Sequence, residues 1–104
     1  MYRYIVGTGD VSIAGFVVRG GHFVLLLEND IFEYGINGYA RHRNIGRDPR
    51  YIWHELDSGV TAISPNTLED LIRNDGSWTA SEYILLDHNC QDFVIWCLRL
   101  FQYY

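Results

Sequence analysis

Cys90 stands where a polar hinge, Asp87-His88-Asn89, gives way to a strongly apolar run ending at Phe101. Asn89 is a suitable N-cap, which places the thiol in the first turn of a helix. A thiolate is the reactive form of cysteine, and two devices favour it: the positive end of a helix dipole and a neighbouring imidazolium. The position supplies the first device, and a histidine must supply the second. Four are available: His22, His42, His54 and His88. His88 is too near in the chain to orient easily over the sulfur. His42 lies in an arginine-rich stretch, and the facing of His54 is ambiguous. His22 follows Gly20-Gly21 and opens a strongly apolar segment, so it projects from a strand. Spacing alone does not choose between His22 and the other three together.

The bland reading is that cysteine is a small buried hydrophobe. It suits Cys97, which sits between Trp96 and Leu98. Trp53, Trp78 and Trp96 are expected to pack, and Glu69 and Asp70 to be solvated. Cysteine and histidine spacings do not match a zinc site. No glycine-rich phosphate loop and no Gly-x-Ser-x-Gly elbow occurs. The expected chemistry is therefore cofactor-free.

The elements that must position these groups are mostly strands. "YRYIV" and "IAGFVV" are β-rich runs separated by the turn-like "GTGD". "GGHFVLLLENDIFEYGING" reads as a hairpin turning at Asn29-Asp30, which sets Leu27 opposite Phe32 and Leu26 opposite Glu33. Alternation then puts His22, Val24, Leu26 and Glu33 on one face. "YARHRNIGRDPR" reads as a polar loop, and "YIWHEL" and "EYILL" as short strands. Ser64-Pro65 opens a helix with Leu68, Leu71 and Ile72 on its apolar stripe and Gly76 after its end; Thr67 with Asp70 offers a second cap. The last helix is expected from about Cys90 to Phe101, burying Phe93, Val94, Cys97, Leu100 and Phe101. The fold class is α+β.

With 104 residues, 48% of them hydrophobic, one domain over 1–104 is expected. Cys90 and Cys97 lie roughly 10 Å apart along a helix axis, too far for a disulfide. Two reduced thiols and no leading signal pattern favour an intracellular, soluble chain, in cytoplasm or nucleus, or in host cytoplasm for a viral protein. The longest charge-free apolar run, Phe23 to Leu27, is far short of a membrane span. A net charge of −5 argues against nucleic-acid partners. All eight basic residues are arginine, where ordinary usage would give about six lysines. Codon bias accounts for that, as would avoidance of side-chain amine modification near ubiquitin-like conjugation. Arg41, Arg43, Arg47 and Arg50 are concentrated in one stretch, which favours an acidic partner or a phosphate unless it is simply a solvated loop.

Taken in order, "GGHFVLLLENDIFEYGINGY", "SGVTAISPNTLEDLI" and "YILLDHNCQDFVIWCLRLF" resemble the histidine hairpin, the strand leading into a helix, and the Asn-Cys helix of the PPPDE superfamily. These are deSUMOylating isopeptidase-type cysteine proteases. The resemblance implies a circularly permuted papain-like fold in which histidine precedes cysteine. It implies Cys90 as nucleophile and His22 as general base, cleaving at the C-terminal glycine of SUMO or ubiquitin conjugates through a thioester. Backbone amides at the start of the Cys90 helix would hold the oxyanion. Glu33 or Asn37 would be the third, orienting residue. The implied partner is a ubiquitin-like modifier or its conjugates, and some members of the family are homodimers. Phe23 and Gln91 depart from the family pattern, where a small polar residue and asparagine are usual. The related lecithin:retinol acyltransferase-like and NlpC-like folds would run the same dyad as a thioesterase, acyltransferase or amidase. A non-catalytic binding module on the same scaffold is the third alternative.

Overall fold

In the computed structural model, residues 1–13, 16–43 and 54–104 are described, with side chains for 1–9, 22–43 and 54–104. Expectations for Arg47, Arg50, Trp53 and the start of "YIWHEL" lie outside these residues. Among the described residues, five antiparallel strands form one sheet in the order β4-β3-β2-β1-β5. They are β1 (Tyr2–Ile13), β2 (Phe16–Leu27), β3 (Asp30–Gly35), β4 (Gly38–His42) and β5 (His54–Thr61). Two helices follow, α1 (Pro65–Asp75) and α2 (Cys90–Tyr103), with a short 3-10 turn at Ala80–Glu82 between them. The mixed class expected from sequence is observed.

"GTGD" is not a turn. β1 runs straight through it, pairing Gly7, Thr8 and Gly9 with Val24, Phe23 and His22 of β2, and Gly7 and Thr8 with Glu55 and His54 of β5. Ladders on both sides outweigh the local turn preference, and the irregularity between Gly9 and Val11 is taken up as a bulge. His22 consequently lies well inside a strand that begins at Phe16, instead of opening one.

The β2–β3 turn is at Glu28-Asn29, one residue earlier than expected. Leu27 pairs with Asp30, Leu25 with Phe32 and Val24 with Glu33. Glu28 takes the left-handed conformation at φ 53°, while its amide donates to Arg3 O at 2.8 Å. Asp30 belongs to the strand, paired with Leu27, and its carboxylate accepts two hydrogen bonds from Arg41. Each partner moves by two positions, and an even shift leaves side chains on the same face. His22, Val24, Leu26 and Glu33 therefore still share a face.

"YARHRNIGRDPR" opens as strand β4, not as loop. "EYILL" is not a strand: Glu82 ends the 3-10 turn, and Ile84 and His88 close a tight turn by exchanging backbone hydrogen bonds of 2.9 and 2.8 Å. With its polar backbone satisfied locally, this segment does not join the sheet. It leaves Ile84, Leu85 and Leu86 exposed.

The main core lies between one sheet face and the helices. Leu25, Leu27, Phe32 and Tyr34 pack with Leu68 and Ile72 of α1 and with Phe93, Val94 and Cys97 of α2, closed by Trp78. Leu71, Leu100 and Phe101 join at its margin. Helix α1 is capped as the sequence suggests, with Ser64 Oγ accepting from Thr67 N and Gly76 left-handed at φ 77°. Helix α2 runs two residues beyond Phe101.

Candidate active site

The end of α2 is built from its cap. Asn89 Oδ1 accepts the amides of Gln91 at 3.0 Å and Asp92 at 3.2 Å, and Asp92 Oδ2 accepts Asn89 N at 3.1 Å. This reciprocal capping box starts the helix at Cys90 and nowhere else. Asn89 Nδ2 also donates to Leu85 O at 2.7 Å, tying the helix start to the preceding turn. Phe93, Val94 and Cys97 bury the next turns, so the first turn is held against β2.

Against this thiol the sheet sets two groups from adjacent positions of β2. The ladder to β3 stops at Val24, and the next amide back, Phe23 N, bonds to Cys90 Sγ at 3.5 Å. The His22 ring stands beside the same thiol, close enough for each to shift the pKa of the other. On its other side, His22 Nε2 meets Glu33 Oε2 at 3.2 Å, which leaves Nδ1 as the ring nitrogen that can serve the sulfur. Glu33 is also held from the opposite flank, its Oε1 lying 3.2 Å from His42 Nε2. Cys90, His22, Glu33 and His42 thus form one continuous chain drawn from α2, β2, β3 and β4.

The electrostatics follow from these contacts. The hydrogen bond to Cys90 and then that to Glu33 raise the His22 pKa to about 9, against the opposing cost of burial. Burial pushes the Cys90 thiol up, but the His22 hydrogen bond, the Phe23 amide and the His22 charge together bring it below its ordinary value. Glu33 is lowered by its bond to His22, then raised by burial and lowered again by His42. The arrangement favours a thiolate beside an imidazolium. Cys97 is the opposite case: fully buried in the core, its thiol is pushed far up. Both cysteines are reduced.

Cys90 is 7% exposed and lies in a cleft of about 110 Å³ with Phe23, Tyr83, Leu85, Asn89 and Gln91. A thiolate so placed can attack an incoming acyl carbon, with a histidine able to pass the proton onward.

The remaining sequence candidates separate cleanly. Asn37 is exposed on the β3–β4 turn and lines a different cavity, of about 360 Å³, with Trp78 and Thr79. His88 donates to Ser77 O at 2.8 Å and stacks on Trp78 at 4.3 Å, so it packs. His54 is exposed at the start of β5, opposite Thr8. Arg41 does not wait for a phosphate: its side chain is 6% exposed and bonds Asp30, Glu69 and Asn66, over the Phe32 ring. Glu69 correspondingly is not simply solvated.

The amides of Gln91 and Asp92 are engaged by the Asn89 cap, and the Gln91 amide also helps to lower the Cys90 thiol pKa. One expectation needs correcting. His42, weighed only as a rival to His22, is instead a second partner of Glu33. The signal for it was the alternation of β4, hidden by reading that segment as loop. No family model matches this sequence, and no curated protein matches it.

Proposed function

We propose that this protein is a cysteine-type acyl hydrolase, with Cys90 as nucleophile, His22 as general acid and base, and Glu33 as the residue that orients His22. The observation that carries the reading is the meeting of the Cys90 thiol with the His22 ring, itself held by Glu33. The favoured substrate is the C-terminal glycyl carbonyl of a ubiquitin-like modifier on an isopeptide. Besides the resemblance to the PPPDE isopeptidases, and with it a permuted papain-like arrangement, the narrow cleft supports this choice. A glycyl acyl group brings no side chain past Phe23 and Tyr83.

The steps balance within the site. The Cys90 thiolate attacks the glycyl carbonyl carbon, and the carbonyl electron pair moves to oxygen. In this reading the donor to that oxyanion is the side chain of Gln91, a residue of the cleft lining. Collapse expels the lysine amine, which takes the proton from His22 and leaves a thioester on Cys90. Water then attacks the thioester, giving its proton to His22, and the acid leaves as the thiolate is restored.

Hydrolysis of SUMO and ubiquitin C-terminal fluorogenic amides is the test. Cys90→Ala is expected to lose on the order of 10³-fold or more in kcat/KM. Equal turnover by wild type and Cys90→Ala would end the proposal. The exposed Ile84, Leu85 and Leu86 beside the cleft favour one second reading, transfer of an apolar acyl chain from a thioester or lipid. Acylation of Cys90 by a lipid donor without reaction with ubiquitin-type probes would select it. A thiol probe that labels Cys90 no faster than free cysteine would point to a non-catalytic binding module.

A further inference from the structure

We infer that His42 is a positioning residue for the Cys90–His22–Glu33 set, acting through the second oxygen of the Glu33 carboxylate. The inference rests on the hydrolase reading for its meaning but not for its test.

Glu33 is at the centre of three neighbouring strands, paired with Val24 of β2 and with Ala40 of β4. His22 is two residues before Val24 and His42 two residues after Ala40, so both histidines lie diagonal to Glu33 on its own face. Diagonal neighbours stand about 7–8 Å apart at the backbone, within reach of long side chains. Each places its Nε2 at 3.2 Å from a different carboxylate oxygen. The His42 bond therefore fixes the rotation of the carboxylate, because turning it would break both contacts at once. Without His42, the side chain of Glu33 has one anchor instead of two, and Oε2 is free to swing from His22 toward solvent.

Other charges near this carboxylate do not substitute for His42. Arg41, the neighbouring residue on β4, alternates to the other face and binds Asp30 and Glu69. Among the described residues, the titratable groups bonded to Glu33 are His22 from β2 and His42 from β4. His42 is also the more exposed of the two, with 42% of its side chain accessible against 21% for His22. Its route to the thiol runs through the Glu33 carboxylate, which it shares with His22.

The test is the pH dependence of Cys90 alkylation by iodoacetamide, which needs no substrate. Wild type, His42→Ala and His42→Gln are compared, each also in a Glu33→Gln background. His42→Ala is expected to raise the midpoint of thiolate formation by about half to one pH unit, equivalent to about three- to tenfold in the thiol equilibrium. His42→Gln, whose amide nitrogen can donate from nearly the same place, is expected to restore most of the shift. In the Glu33→Gln background, His42→Ala is expected to change nothing. A midpoint for His42→Ala coincident with wild type overturns the inference. So does a Gln variant that behaves like Ala, or a shift that persists undiminished without the Glu33 charge. Retained turnover in Cys90→Ala would remove the hydrolase reading and leave this titration interpretable.

Discussion

At Cys90 burial and the polar neighbours oppose each other, and the neighbours decide the outcome. Burial alone would hold the sulfur protonated, as it does at Cys97. The His22 hydrogen bond, the Phe23 amide and the imidazolium charge reverse it. In the proposed hydrolase the reactive pair would be thiolate with imidazolium, and its activity would then have two limits. It is lost as pH falls through the lowered thiol pKa, because the nucleophile is protonated. It is lost again as pH rises through the raised His22 value, about 9, because the proton needed by the leaving amine is gone. A pH profile of kcat/KM is therefore expected to be bell-shaped with its alkaline limb near 9. An alkaline limb near the ordinary histidine value would show that the pair does not operate as described. Glu33→Gln should bring that limb down, since the carboxylate is the second contributor to the raised pKa.

At the scale of the element, the start of α2 is specified by Asn89 more than by Cys90. Its side chain satisfies two first-turn amides and ties back to Leu85 O. Loss of such a cap costs about 1 kcal/mol. Asn89→Ala is expected to lower unfolding free energy by about that much in urea melts, and also to raise the thiol midpoint as the first turn frays. Asn89→Asp retains the acceptor and should keep most of the stability; equal losses in both variants would sink this account of the cap. The Asn89 cap was legible in the sequence because capping is local: Asn89 and the apolar run are within one short stretch, whereas the reciprocal bond to Asp92 is seen only in the structure. The same holds for Ser64-Pro65 and Gly76 at α1. The misread segments failed for the opposite reason. Gly7 and Gly9 look like a turn until β2 pairs with both of them and β5 with Gly7. Ile84 to Leu86 look like a strand until Ile84 and His88 satisfy each other locally.

At the scale of the molecule, the strand that carries His42 is fastened to α1 through Arg41. This guanidinium binds Asp30 at 2.6 Å and Glu69 at 3.2 Å while almost wholly buried, and burial is opposed by those carboxylates. Removing Arg41 takes a charged partner from two partly buried carboxylates, Glu69 keeping Tyr39, Arg43 and Arg73, at a cost of about 1–3 kcal/mol. Arg41→Ala is expected to destabilise by about that amount, whereas Arg43→Ala, with 62% of its side chain exposed, should fall within about 0.5 kcal/mol. Similar melting of both variants would show that the cluster is not a structural tie. No helix among the described residues is long and apolar enough to cross a membrane.

From the order of residue types alone one could place a thiol at a helix start, identify the apolar hairpin, and put His22 and Glu33 on a common face. Those are properties of neighbours in the chain, or of the two-residue period of a strand, and they survived a hairpin turn displaced by one residue. Which of four histidines meets the sulfur was not decidable that way. That choice depends on how α2 docks on β2 and where the β2–β3 ladder ends, and both are set by packing between segments some seventy residues apart, as the Phe23–Cys90 contact measures. The second hold on Glu33 is likewise tertiary, because His42 reaches it only after β3 and β4 have paired.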